Sequence, residues 1–267
     1  MLLLKDDLMT TAFEIDAELA GQLELARQVQ LSLLPERHCC LSNWELAFSY
    51  EPAGFVSGDY VDLIPSAEGE FYFALGDVSG KGVAASILMS HLHATLRTLL
   101  PSTKSLAEIL AIASRTFCHS KLPAQFATLV VGKANREGNI ELVNAGHLPV
   151  LLIEDKSVSL IEGTSLPLGM FCATDFTNVN RSINVGGTVL LYSDGITEAT
   201  NDGGTDFDLI RAVESLAASS VLSPCEMVGA LQRAVADYTF GTQPNDDRTM
   251  LALRWLPKGV EETHATL

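Results

Sequence analysis

Four aspartates stand at the ends of apolar segments, and their type and setting point to metal-assisted chemistry. They are Asp59 in Ser57-Gly58-Asp59-Tyr60, Asp77 in Gly76-Asp77-Val78-Ser79-Gly80-Lys81-Gly82, Asp194 in Ser193-Asp194-Gly195, and Asp246 in Asn245-Asp246-Asp247-Arg248-Thr249. Three of them have a glycine alongside, and only Lys81 and Arg248 bring a cation close in sequence. Carboxylates at strand ends, with small residues that let backbone and ligand approach, are what a hard divalent cation needs. Several converging on one point could hold two such cations, and two metals sharing a water are a device for phosphoryl chemistry.

Other residues admit blander roles beside a functional one. Gly76 to Gly82 ends a strand and opens a helix, but its spacing fits neither a P-loop nor a dinucleotide fingerprint. His147 in Asn144-Ala145-Gly146-His147 reads either as a structural histidine bonded to backbone or as a group near the site. Asp62 reads as structural. Ser193 lacks the glycine-flanked elbow of a nucleophile and has no histidine nearby in sequence.

Strands and helices must carry these residues. Period-2 segments predict strands over 44–50, 60–64, 70–75, 126–133, 139–143, 150–154, 188–192 and 249–255, with a hairpin turn at Asn135 to Gly138. A helix follows Asp77, with Ala85, Leu88, Met89, Leu92, Leu96 and Leu99 on one face and Pro101 as its stop. Capping boxes open two more at Ser105-Leu106-Ala107-Glu108 and Ser223-Pro224-Cys225-Glu226, and a further helix is expected over 206–218. Residues 6–34 form a helix whose Leu8, Ala12, Ile15, Leu19, Gln22, Ala26, Val29 and Leu33 make a poorly filled heptad seam, ended by Pro35. That seam could pair with another copy or a partner, or pack on its own domain. The pattern implies an α+β layered domain with antiparallel sheets. We expect an N-terminal helix over 1–38, one domain over 39–257 and a flexible tail over 258–267.

Composition narrows the classes. The chain has 267 residues, is 47% hydrophobic and carries a net charge of −16, which argues against a nucleic-acid backbone or an anionic membrane as partner. No stretch reaches the ~18 apolar residues of a spanning helix, and no signal peptide is evident, so a soluble, cytoplasmic protein is expected. The five cysteines, at 39, 40, 118, 172 and 225, read as free thiols in a reducing cytosol, the alternative being a metal or redox role.

Taken in order, the motifs become specific. Leu25-Ala26-Arg27-Gln28-Val29-Gln30 leads to Leu33-Leu34-Pro35, then Gly58-Asp59-Tyr60-Val61-Asp62, then the Gly76–Gly82 segment. Phe126-Ala127-Thr128-Leu129, Asn144 to His147, Pro167-Leu168-Gly169, Tyr192 to Ala199 and Asp246-Asp247-Arg248-Thr249 follow. Over roughly residues 22–256 this resembles the SpoIIE/RsbU branch of the PPM metal-dependent serine/threonine phosphatases. The resemblance implies a four-layer α-β-β-α sandwich of two antiparallel sheets flanked by helix pairs. It implies two Mn²⁺ or Mg²⁺ ions, with Asp77 bridging both, the Val78 carbonyl assisting, and Asp59, Asp194 and Asp246 as further ligands. Asp59, Asp77 and Asp194 would then be catalytic, with Asp247, Lys81, His147 and Gly195 beside the ligands or substrate. Ser57 and Asp208 stand where the branch usually has glycine, and no phosphate-binding arginine is evident.

The resemblance further implies hydrolysis of phosphoserine or phosphothreonine without a covalent phosphoenzyme. The substrate would be a STAS-like phosphorylated anti-sigma antagonist in bacterial partner switching. The N-terminal helix would serve a homodimer or a regulator. The rivals are a silent phosphoprotein-binding module and a small-molecule phosphatase.

Overall fold

Side-chain alternation along the strands decides the architecture. In a computed structural model describing residues 3–66, 69–102, 104–163, 165–240, 242 and 244–256, with side chains from residue 17 onward, the chain forms helices and two antiparallel sheets. The expected tail from Pro257 lies outside the described residues. The elements are α1 (Leu3–Ser32), β1 (His38–Leu41), β2 (Trp44–Glu51), β3 (Asp59–Pro65), β4 (Phe71–Val78), α2 (Gly82–Leu99) and α3 (Leu106–Ser120). They continue with β5 (Ala127–Ala134), β6 (Asn139–Ala145), β7 (Val150–Glu154), β8 (Ser157–Ile161), β9 (Val179–Ser182) and β10 (Thr188–Tyr192). Last come α4 (Asp194–Thr197), α5 (Asp208–Ala218), α6 (Pro224–Tyr238) and β11 (Arg248–Trp255).

One sheet runs β1-β2-β11-β10-β7-β8 and the other β3-β4-β5-β6-β9. Successive residues of a strand point to opposite faces. Val61, Leu63, Phe73 and Leu75 therefore meet Leu46, Val189, Leu191 and Leu251 between the sheets. Tyr60, Ala74 and Val131 face α2 and α3, where Met89, Leu92, Ile109 and Phe117 fill the outer layer. Leu190, Met250 and Ala252 face α5 and α6, with Leu216, Met227 and Leu231 opposite them. The result is the expected α+β sandwich in four layers, with three apolar seams. Each fully buried large side chain in these seams contributes about 1.5–3 kcal/mol.

Local chemistry starts the helices. Both capping boxes are formed, at Ser105–Glu108 and Ser223–Glu226. Asp208 has a φ of 61°, in the left-handed region that favours glycine. Asp62 is fully buried, with Tyr60 at 3.0 Å and Arg97 bound in a fork at 2.8 and 2.7 Å, a structural ion pair against α2.

Some expectations are corrected. The edge strands β1, β8 and β9 and the short α4 were not anticipated; at four or five residues each they are too short for a period to stand out. Cys118 and Cys172 are joined as a disulfide, so they are not the free thiols expected. In α1, Leu19, Gln22, Ala26 and Val29 face solvent, while Leu31 and Leu34 pack on the inter-sheet core. Among the described residues nothing covers the seam at these four positions. No helix among the described residues is long and apolar enough to cross a membrane.

Candidate functional site

Strand register sets two of the aspartates face to face. β3 and β4 pair so that Asp59 lies opposite Asp77. Both share the strand face of Leu63 and Leu75, so both point into the gap between the sheets, at its open end. From the other sheet, β10 ends at Tyr192 and leads into Asp194, while Asp246 and Asp247 precede the neighbouring β11. Four strand ends thus bring the acidic residues to one edge of the sandwich. Close approach requires glycine at two points. A Cβ on Gly58 would lie 2.9 Å from the Val78 carbonyl oxygen and 3.3 Å from Asp77 Oδ1, and one on Gly195 only 2.1 Å from the Asp247 carbonyl oxygen.

A cleft of about 470 Å³ opens here, lined among others by Asp77, Lys81, His147, Asp194, Glu198 and Asp246. Asp59 lies beneath it, 1% exposed. A cavity of similar size, about 490 Å³, opens elsewhere beside Glu70 and Arg181 and contains none of the four aspartates.

The electrostatics are those of crowded carboxylates. Burial, then the charge of Asp77, pushes Asp59 well above the usual carboxylate range. Asp77 is raised to about 7 by burial and by Asp194, Asp246 and Asp247. Asp194 is raised by burial, then by Asp246 and Glu198. Burial and like charge both disfavour the ionised form, and a cation would relieve both. Among the described residues no three carboxylates, imidazoles or thiols close on one point as a finished cation cage. Asp246 turns instead to Lys81, whose Nζ lies 2.8 Å from Oδ2 and 2.7 Å from the Asn245 carbonyl. Even so, the residues fit a hard cation. The donors are all oxygen, and Asp59 Oδ2 is buried without a hydrogen-bond partner. An ammonium already sits against Asp246.

The surroundings hold the cluster in place. Asp247 accepts from Ala53 N–H at 2.8 Å and Gly58 N–H at 2.9 Å, fastening the 53–58 loop across the gap between the sheets. Gln30 grips the same loop from α1: its Nε2 donates to the Ser57 carbonyl at 2.8 Å and its Oε1 accepts from Ser57 N–H at 2.9 Å. Ser57 Oγ in turn accepts from Asp59 N–H at 3.0 Å. Ser193 is fully buried; its Oγ donates to the Asp247 carbonyl at 3.2 Å and accepts from Thr249 N–H at 2.9 Å. His147 spans the two sheets, with Nδ1 2.9 Å from Thr128 Oγ1 and Nε2 3.0 Å from the Tyr192 carbonyl. Burial lowers its pKa to about 4. Its one ring proton therefore sits on Nε2 and points at Tyr192, while Nδ1 accepts from Thr128.

Asp59, Asp77, Asp194, Asp246, Asp247, Lys81, Gly195 and the Val78 carbonyl all lie at this edge. His147 lies behind them as a brace. Sequence reasoning had not singled out Gln30, Ser57 Oγ, Thr128 or Glu198. All four sit inside recognisable motifs, and only the tertiary register shows what each one touches.

Residues 67–256 match the sequence profile of Stage II sporulation protein E (SpoIIE). Over 245 residues the chain is 24% identical to the phosphoserine phosphatase RsbU of Bacillus subtilis (strain 168), covering 90% of this chain and 72% of RsbU. It spans only 41% and 46% of two other curated relatives. The SiaA-PP2C domain of Pseudomonas aeruginosa superposes with a TM-score of 0.79 at 19% identity, covering 90% of this chain and 98% of that one. RsbX, solved in complex with magnesium, superposes at 0.59 with 14% identity, covering 82% of this chain and 96% of its own. These two structures share the fold.

Proposed function

The chain belongs to the SpoIIE family, in the SpoIIE/RsbU branch of the PPM phosphatases, and from that premise we propose that it hydrolyses phosphoserine or phosphothreonine on a regulatory protein. The observation that carries this reading is the meeting of Asp59 and Asp77, opposed across β3 and β4, with Asp194 and Asp246 from the other sheet at one cleft. Asp77, Asp59, Asp194, Asp246 and the Val78 carbonyl would hold two Mn²⁺ or Mg²⁺ ions; the magnesium in the RsbX structure supports the choice of metal. Bound there, the ions would supply Lewis acidity to the phosphoryl oxygens and a more acidic water.

The chain's own residues do the positioning. Asp247 and Gln30 fix the loop that delivers Asp59. Lys81 lines the cleft beside Asp246 and would supply a cation for the phosphate there. His147 has no proton free for a leaving group, because its N–H is committed to Tyr192, so its role is to brace β5, where Thr128 pairs with Asp77, against the end of β10 that leads into Asp194.

RsbU's name as a phosphoserine phosphatase supports a protein substrate, and a STAS-like phosphorylated anti-sigma antagonist is the one we propose. The solvent-facing Leu19 and Val29, 52% and 63% exposed, support a homodimer or a regulator docking on α1. Release of phosphate from a phosphorylated antagonist, compared with a nucleotide, tests the substrate class. Turnover confined to the nucleotide would overturn the protein-phosphatase reading.

A further inference from the structure

The loop between β8 and β9 forms the back of the cleft wall. Leu168 exchanges two backbone hydrogen bonds with Ala127, at 3.0 and 2.8 Å. Ala127 lies between Phe126 and Thr128, which both line the cleft. Pro167 rests on Gly146, where a Cβ would come within 2.5 Å of the proline ring, and Gly146 leads into His147. The same loop is fastened to α3. Gly169 N–H donates to the buried Ser114 Oγ at 3.1 Å, and Phe117 and Lys121 close over Gly169. Three residues on, Cys172 is bonded to Cys118 in the last turn of α3, with their Cα atoms 5.4 Å apart. Between these two anchors Met170 and Phe171 are 42% and 57% exposed. The disulfide is therefore the outer anchor of a segment whose inner face supports the cleft.

The bond is open to exchange from solvent. Cys172 is on the exposed face of the loop and Cys118 is half-buried, so an attacking thiolate can reach the bond from solvent. It is also remote in sequence from every candidate metal ligand. Cys225, exposed in the first turn of α6 and unpaired, provides an internal reference thiol.

We propose that Cys118 and Cys172 form a reversible thiol–disulfide pair, oxidised by a small-molecule disulfide and reduced by two equivalents of the corresponding thiol, whose state sets how firmly the cleft wall at 126–128 and 146–147 is held. In the oxidising direction, the Cys172 thiolate attacks the small disulfide, forming a mixed disulfide and releasing one thiolate. The Cys118 thiolate then attacks the Cys172 sulfur, closing the protein disulfide and releasing the second. Two thiol protons leave with the two small thiols, so one disulfide is reduced for each one formed. Reduction runs the steps backwards: one small thiolate attacks the Cys172 sulfur and frees Cys118, and a second attacks the mixed disulfide, freeing Cys172 and regenerating the small disulfide. The effect on turnover rests on the phosphatase reading; the pairing and its effect on the wall do not.

The test uses the full chain equilibrated across glutathione redox buffers, quenched by alkylation and mapped by mass spectrometry, with amide hydrogen exchange and phosphate release measured in parallel. The Cys118–Cys172 peptide should interconvert with the glutathione ratio in folded protein, while Cys225 does not join it. Reduction should speed exchange at Ala127 and Leu168 by ~5-fold or more, as expected for a local opening, and lower kcat/KM for the phosphoprotein. C118S and C172S should hold both readouts at the reduced values in every buffer. The proposal is overturned if the pair never forms, if it is reduced only on unfolding, if exchange at Ala127 is equal in both states, or if C172S still responds to redox. Correct pairing and exchange with no phosphate release in either state would uphold this proposal and sink the phosphatase reading instead.

Discussion

Replacing Gln30 by alanine should detach α1 from the loop that carries Asp59. Gln30 is 4% exposed and Ser57 is fully buried. The Gln30 amide satisfies both backbone groups of Ser57, at 2.8 and 2.9 Å. Truncation leaves a buried N–H and a buried C=O without those partners, and each such group costs about 1–3 kcal/mol. Water entering the space returns part of that, so a net loss of about 2–4 kcal/mol is expected. Gln28→Ala is the control. Gln28 is exposed and reaches only Glu24, at 3.3 Å, so its loss should stay within about 0.5 kcal/mol. Urea unfolding gives both values. Hydrogen exchange should show amides in the last turns of α1 losing protection in Gln30→Ala alone. A Gln30→Ala protein as stable as Gln28→Ala, with α1 equally protected, would refute the argument that this amide joins the helix to the site.

Other perturbations probe different parts. Asp77→Asn should abolish phosphate release and Asp194→Asn should lower kcat by at least ~10²-fold, both proteins staying folded because removing a charge relieves the crowding; steady-state kinetics with circular dichroism checks this. Leu19→Asp and Val29→Asp should change oligomeric state and turnover together while leaving metal binding intact, as read by sedimentation, phosphate release and calorimetry. His147 is neutral in the fold, with its pKa lowered from 6.5 to about 4. The unfolded chain thus binds its proton first, and stability falls as pH drops from about 6.5 to 4, by up to about 3 kcal/mol. Urea unfolding at both ends of that window, compared with His147→Gln, should show this slope only in the parent, the difference isolating His147 from the aspartates.

What the sequence disclosed was local chemistry. Ser105 and Ser223 mark their helix starts three residues before a glutamate, and both boxes form. The apolar face of α2 and the alternation of β4 are also read directly, because burial imposes a period on each. Edge strands such as β9, Val179–Ser182, escape because their exposed residues carry no such period. Asp77 is legible from its motif, whereas its pairing with Asp59 is a matter of register across β3 and β4. Gln30 stands in a quoted motif, yet nothing in its neighbours shows that it binds Ser57, 27 residues away. The Cys118–Cys172 bond spans 54 residues with no spacing signature, so composition alone favoured free thiols.

The central claim is that the four aspartates run metal-dependent hydrolysis of a phosphoprotein. The measurement that tests it most directly is phosphate release from a phosphorylated STAS-like antagonist, with Mn²⁺ or Mg²⁺, with EDTA, and with Asp77→Asn. Release with metal, its loss in EDTA, recovery on adding metal back, and none from a folded Asp77→Asn protein is the result this account predicts. Full turnover in chelator, or near-normal turnover by folded Asp77→Asn, would contradict it.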